Sequence, residues 1–299
     1  MHTTPPSPID VPSEFPAVAA YALTTVRLHP RPGAPTIEQS SVGGPLLWPV
    51  DEPWPMCDGP NGYDHYDNSP GEPAAPLVPV LQLLVDDVPE LPFPDGTDVL
   101  QVLWCPFDHD PFSAPRPQVR WRRRAGLGAC RSTMPSPDTE SDPRLVPNPC
   151  VVGPERVVEY PSHDLPQAAW SQIQDAVQRV ARETGWEYER DLAVASGTKV
   201  GGYPGWTQPP QWPSCGCGAT MAHLLTIDSW EFSRGDDRRW IPLEDRAAMA
   251  GWGWDTDDDH PWRARQNPTG LMLGDAGGIY LFVCTRCPIR PFDYRFDCS

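Results

Sequence analysis

Two close cysteine pairs, Cys215-x-Cys217 and Cys284-x-x-Cys287, are the residues whose type and spacing come nearest to chemistry. Zinc prefers four thiolate or imidazole ligands in a tetrahedron, and two short pairs brought together by neighbouring strands supply that set. The segment SCGCGA also carries the glycines that let backbone turn tightly around an ion. The first pair has one intervening residue where metal knuckles usually have two or more, and Cys57 or Cys298 could replace a member. A four-thiolate site is closed, so the expected cofactor is a structural zinc ion whose contribution is to folding.

Other candidates are weaker. Asp255, Asp257, Asp258 and Asp259 resemble the start of a calcium loop, but His260 stands where that loop needs glycine and Gln266 where it needs an acid. They read as a solvated acidic loop. His109 lies close to Cys105, which suggests a Cys-His nucleophile; Cys105 ends an apolar run, so a core thiol is the preferred reading. His223 falls on an expected strand and reads as structural. No nucleophile elbow, Walker loop, zinc-protease helix or dinucleotide fingerprint occurs, so an enzymatic reading has no constellation behind it.

The elements that must position the cysteines are a repeated unit. VGGPLLWPVDEPWPMC at 42–57, shifted by 158 positions, lays Val42 on Val200 and Gly43-Gly44 on Gly201-Gly202. The same shift lays Trp48 on Trp206, Trp54 on Trp212 and Cys57 on Cys215. Two tryptophans and a cysteine in register point to an internal duplication. It extends further: 77–86 (LVPVLQLLVD) answers 221–228 (MAHLLTID), and 97–105 answers 277–284, so Cys105 corresponds to Cys284. The first copy therefore retains only Cys57 and Cys105 of the metal set and is expected not to bind metal on its own.

The expected fold class is α+β, mainly antiparallel β, with two duplicated β-rich halves packed together. Residues 1–150 hold a Pro-rich N-terminal arm and the first repeat, with its core at 42–105. Residues 151–299 hold the second repeat, and 134–149 form the linker or long loop between them. Strands are expected at 22–30, 77–86, 97–105 and 151–160. One helix is expected near 165–184, from the spacing of Ala169, Trp170, Ile173, Ala176, Val177 and Val180, with Asp164 as N-cap and Gly185 as stop. The second repeat also inserts residues 229–268, a polar and Trp-studded stretch without a counterpart in the first, where a specific activity could reside.

The 299 residues carry a formal net charge of -17, which opposes phosphate backbones and anionic membrane surfaces and favours a basic partner. No basic N-terminal region precedes an apolar run and no stretch of 18 apolar residues occurs, so a soluble, cytoplasmic protein is expected. In a reducing compartment nine cysteines are thiols or metal ligands before they are disulfides. The candidate binding residues are Trp206 and Trp212 of the repeated phrase and Trp230, Trp240, Trp252 and Trp254 of the insertion, where aromatics in an acidic loop suit a basic segment. Trp262 belongs with them in composition.

VGG…WP…C, LVPVLQL, KVGGYPGW, HLLTIDS and GDAGGIYLF (274–282) resemble the YwqG-like family, bacterial domains of unknown function, from about residue 20 to the end of the chain. The resemblance implies a mainly antiparallel α+β fold with two related halves and no established catalytic role, and it adds Asp275 of GDAGG to the candidate binding residues. A more distant similarity is to the programmed-cell-death-protein-two family, whose members also join KxGGxPxW to a cysteine pair, an apolar strand and a later cysteine pair. That similarity implies a chaperone of a basic client protein. The chain departs from it in the single residue between Cys215 and Cys217 and in the acidic insertion.

The leading expectation is thus a non-enzymatic, zinc-stabilised protein-binding module for a basic or extended polypeptide, acting as a client chaperone or antitoxin-like neutraliser. A metal-dependent hydrolase with an open zinc is the alternative, and a purely structural domain the third. Neither nucleic acid nor membrane is expected as a partner.

Overall fold

The computed structural model describes residues 2–57, 75–109, 111–137, 141–232, 239–249 and 261–298. Among these residues twelve strands follow one another in chain order. In the first half they are β1 (Leu23–Arg27), β2 (Arg31–Pro32), β3 (Ser41–Val42), β4 (Val78–Leu84), β5 (Val99–His109) and β6 (Ala114–Arg122). The second half supplies β7 (Cys150–Val151), β8 (Glu155–Glu159), β9 (Lys199–Gly201), β10 (Ala222–Asp228), β11 (Gly278–Val283) and β12 (Phe292–Asp297). They build two antiparallel six-stranded sheets, ordered β2-β7-β3-β4-β5-β6 and β12-β11-β10-β9-β1-β8.

The register of these sheets matches the expected duplication residue by residue. Val42 pairs with Leu81 in one sheet as Val200 pairs with Leu225 in the other. A bulge interrupts β4–β5 between Pro79 and Leu81, and a bulge interrupts β10–β11 between His223 and Leu225. Bulges are specific local irregularities, so their recurrence at equivalent positions argues for two copies of one design.

The sheets do not divide the chain at residue 150. Segments 23–32 and 150–159 form one antiparallel ribbon, from Leu23↔Glu159 through Arg27↔Glu155 to Arg31↔Val151 and Pro32↔Cys150, without a change of register. One end of the ribbon completes the second-repeat sheet with β1 and β8; the other completes the first-repeat sheet with β7 and β2. Where it passes between sheets, Leu28 donates its N–H to Thr198 and accepts one from Gly153. Each sheet therefore takes its fifth strand from the other half. A single core joins them, with Val80, Leu81 and Val102 from one side and Leu225, Ile227 and Leu281 from the other.

Helix α1 (Val11–Glu14) opens at Asp10, whose side chain accepts from Ser13. The expected helix is α2 (Gln167–Thr184), and Gly185, at φ 74°, ends it in the left-handed conformation. Its buried face, Ala169, Ile173 and Val180, covers Val11, Phe15 and Val18, which orders the Pro-rich arm. Asp164 is not the cap. The chain enters α2 at Pro166 without a side-chain cap, and the Asp164 carboxylate turns toward the indoles of Trp206 and Trp212.

Within the 229–268 insertion a short α3 (Arg263–Gln266) closes the described part. The described part of this insertion packs rather than projects. The Trp240 ring is 1% exposed and lies beneath the Arg239 guanidinium at 4.4 Å, while its indole N–H donates to the Arg190 carbonyl at 3.2 Å. Leu243 N–H bonds Thr3 O, so the insertion and the arm cover one another. No helix among the described residues is long and apolar enough to cross a membrane.

Candidate metal centre

The four expected ligands meet. Cys215 and Cys217 lie on a tight turn whose flanks are bridged at Ser214↔Thr220, with Cys215 N–H donating to Ala219 O at 2.8 Å. Cys284 and Cys287 lie in the connection from β11 to β12, held by Cys284 N–H to Pro291 O at 2.9 Å and Arg290 N–H to Cys287 O at 3.0 Å. The four sulfurs all fall within 4.8 Å of one another. Cys215 Sγ is 3.8 Å from Cys287 Sγ, and Cys217 Sγ is 3.6 Å from Cys284 Sγ. A tetrahedron with zinc–sulfur bonds of about 2.3 Å has edges of about 3.8 Å, whereas a disulfide brings sulfurs to about 2.05 Å. The spacing suits a metal ion such as zinc, and all four cysteines are free thiols.

The backbone favours charge on the sulfurs that begin each pair. Burial acts to raise the Cys284 thiol, but N–H groups of Cys287 and Arg286 and the neighbouring Cys215 and Cys217 thiols outweigh it and bring Cys284 down to about 6. Cys215 also accepts from the Cys217 N–H, but burial and the neighbouring Cys284 and Cys217 thiols outweigh that bond and raise it. A thiolate is the form that binds metal, so these donors prepare ligands rather than core thiols. Cys215 and Cys284 are buried, Cys287 half-buried and Cys217 exposed.

Aromatic residues wall the cluster. Trp206 stacks on Phe282 at 6.0 Å and meets Tyr280 edge-on at 5.0 Å, and Trp212 meets Phe282 edge-on at 5.3 Å. The equivalent pair of the first repeat, Trp48 and Trp54, lies at 4.8 Å. In both repeats the tryptophans of the repeated phrase thus pack on the strand that carries the second cysteine.

The KVGGYP phrase sets the entry to this wall. Lys199, the sole lysine of the chain, is 1% exposed and donates to both oxygens of Glu159, at 3.0 and 2.8 Å. Burial pushes the Glu159 carboxyl up and the Lys199 ammonium down, and each draws the other back toward its charged form. Glu159 also accepts the N–H groups of Ala195 and Tyr203. Gly202, at φ +66°, lies so close that a Cβ would stand 1.8 Å from Glu159 Oε1, so no side chain fits there.

The remaining expected residues separate into different places. Trp206 and Trp240 are buried, so neither presents a ring to a partner; each is used in packing. Trp262 is likewise buried, and Trp212 and Trp230 are half-buried. Trp252, Trp254 and the acidic run 255–259 lie outside the described residues. Asp275 is exposed at the tip of a turn closed by Gly277 N–H to Leu273 O. That turn presses on the C-terminal strand, where a Cβ on Gly277 would stand 2.2 Å from Asp297 O. Cys298 packs under the same turn, not in the metal cluster. Cys57 belongs elsewhere too: it meets Cys105 and His109, the ligand atoms of all three lying within 4.8 Å. His109 is the ligand-type residue that the reading of the first repeat left out.

A comparison with protein-family models returns no match, and none of the curated proteins is significantly similar to the chain.

Proposed function

We propose that the chain is a non-catalytic protein-binding module, clamped by a structural zinc at Cys215, Cys217, Cys284 and Cys287, that takes up a basic polypeptide in extended form. The observation that carries the binding part is the open edge of the second-repeat sheet. Strand β8 ends its sheet, and beside it runs a slot of about 440 Å³ between Glu155–Val158 and the arm residues Thr4–Pro12. The arm has Pro5, Pro6 and Pro12 along this side, which offer no N–H groups to pair the edge themselves. Val158 is 52% exposed at the rim. An edge strand with an apolar side chain and free space beside it accepts an added strand, with main-chain bonds supplying affinity.

Charge selects the kind of chain. The net charge of -17 attracts a basic partner. The basic groups along the slot are already engaged, Arg156 by Glu90 at 2.6 Å and Arg239 by the Trp240 ring. The resemblance to the programmed-cell-death-protein-two family points in the same direction.

Fluorescence anisotropy with labelled Arg-rich peptides of about ten residues tests the reading. Tight, salt-sensitive binding that weakens at least about tenfold in Val158→Arg supports it. Binding indifferent to Val158→Arg, or no binding at low salt, sinks it.

A metal-dependent hydrolase is the second reading, and one observation favours it: among the described residues Cys57, Cys105 and His109 offer three ligands rather than four. Metal-dependent ester hydrolysis abolished by His109→Ala would support that reading over the first.

A further inference from the structure

The hairpin of β5 and β6 occupies in the first repeat the place that β11 and β12 occupy in the second, and its end also gathers metal-ligating side chains. The match runs through the register. Leu103 pairs with Pro79 as Phe282 pairs with His223, immediately beside the shared bulge, so Cys105 stands where Cys284 stands. Cys57 holds the position of Cys215, three residues after the second tryptophan of the phrase in both copies.

His109 completes the group through a distortion of its strand. Four residues along a regular strand span about 13 Å, far beyond the reach of one ion. The β5–β6 register breaks between Cys105↔Arg116 and His109↔Ala114, where three residues of β5 oppose one of β6. The extra residues fold the strand back, so that Cys105 Sγ, Cys57 Sγ and a ring nitrogen of His109 all lie within 4.8 Å. Cys57 Sγ is 3.8 Å from His109 Nε2, close to the sulfur–nitrogen edge of about 3.6 Å in a zinc tetrahedron.

The geometry points to a second zinc site, formed by Cys57, Cys105 and His109, with these three protein ligands among the described residues and a water molecule in the fourth position. The backbone around Cys105 repeats the arrangement of the four-cysteine cluster: the Phe107 N–H is directed at the Cys105 sulfur as the Arg286 N–H is directed at Cys284. The surroundings repeat it as well, with Trp48 and Trp54 packed around Cys105 as Trp206 and Trp212 pack around Cys284. A buried core thiol needs none of these. Cys105 and His109 are 1% and 3% exposed, so a cation held there would lie within an apolar wall, shielded from solvent.

The fourth ligand is where the copies part. The residue two beyond Cys57, at the place of Cys217, is Gly59, which has no ligating side chain. Two thiolates and one neutral imidazole leave the ion with no net charge, whereas four thiolates make a dianion. A neutral centre with a free position is the kind that polarises a bound water or accepts an exchangeable anion. This inference stands apart from the peptide-binding reading, since it concerns the opposite repeat and neither requires the other.

Metal content of the full chain, purified with zinc and dialysed, tests it. The wild type is expected to hold about two zinc ions, His109→Ala and Cys57→Ser about one each, and Cys217→Ser/Cys287→Ser about one. Cobalt(II) bound to the doubly substituted chain is expected to change its visible spectrum on addition of azide. About one zinc in the wild type, unchanged by His109→Ala, overturns the site. A cobalt spectrum indifferent to azide overturns the open position. Should the doubly substituted chain fail to fold, the content of the His109→Ala and Cys57→Ser chains decides alone. One zinc lost on changing Cys217 and Cys287 but none on changing His109 would leave the four-cysteine site intact and remove only the second.

Discussion

The two repeats share a backbone plan and differ in what they place on it. At the position where β9 carries Lys199, clasped by Glu159, β3 carries Ser41, whose buried hydroxyl makes no hydrogen bond. At the position where β10 ends in Asp228, β4 ends in Leu84. Where one hairpin gathers four cysteines, the other gathers two and a histidine. The second copy thus places a buried ion pair and a carboxylate where the first places a hydroxyl and a leucine, and the two copies gather different sets of ligand-type residues. Duplicated frames tolerate this because the core contacts that define the fold are kept, while residues at strand ends are free to diverge.

The largest expected effect comes from the four-cysteine cluster. Structural zinc contributes on the order of 10 kcal/mol to the folding of small metal domains, more than a domain's usual net stability. Chelation, or Cys217→Ser with Cys287→Ser, is therefore expected to disorder the β11–β12 hairpin. Loss of hydrogen-exchange protection there, with β4 and β5 still protected, would show the effect to be local; equal loss in both sheets would show that the shared core carries it across.

Next comes the buried ion pair. Lys199→Met leaves the Glu159 carboxylate without its cation and is expected to cost about 3–5 kcal/mol in denaturant unfolding. Ser41→Ala, at the equivalent position, removes a hydroxyl without a partner and is expected to be neutral or slightly stabilising. Equal costs for the two would break the distinction between the repeats.

The last effect is tuned by pH. Burial raises the Asp228 carboxyl to about 7, above its unfolded value of about 3.8. The folded state then holds a proton that the unfolded state releases, so its contribution is fully present below about pH 4 and is lost as pH rises toward about 7. The advantage of Asp228→Asn over the wild type is expected to grow by about 1.4 kcal/mol per pH unit across that window, and to level off above it. A difference independent of pH would place the proton elsewhere.

The four metal-cluster cysteines, the duplicated phrase and the antiparallel pairs were legible because each rests on local spacing. His109 was legible only as a neighbour of Cys105 weighed for a Cys-His nucleophile, and not as a metal ligand, since strand periodicity carries no sign of a bulge, and without one the residue stands about 13 Å from Cys105. Asp164 has the type and position of a helix cap, yet its carboxylate is buried and accepts no hydrogen bond from the described residues, and the chain enters α2 at Pro166 without a side-chain cap. Trp240 sits in a polar stretch that reads as exposed; its cover comes from Arg239, from the Arg190 carbonyl and from Arg27, the last more than 200 residues earlier in the chain. The crossing of strands between sheets depends on pairings from 23–32 to 150–159, which no local pattern reports.

That crossing bears on ancestry. A polypeptide carrying one repeat would complete its sheet only by borrowing the inner strand of a second molecule while lending its own, as in an arm-exchanged homodimer. Fusion of two such genes would turn a concentration-dependent assembly into a unimolecular one, and each copy, now permanently supplied with its partner, would be free to specialise. Severing the chain between residues 138 and 140 and mixing the fragments would re-enact the older state.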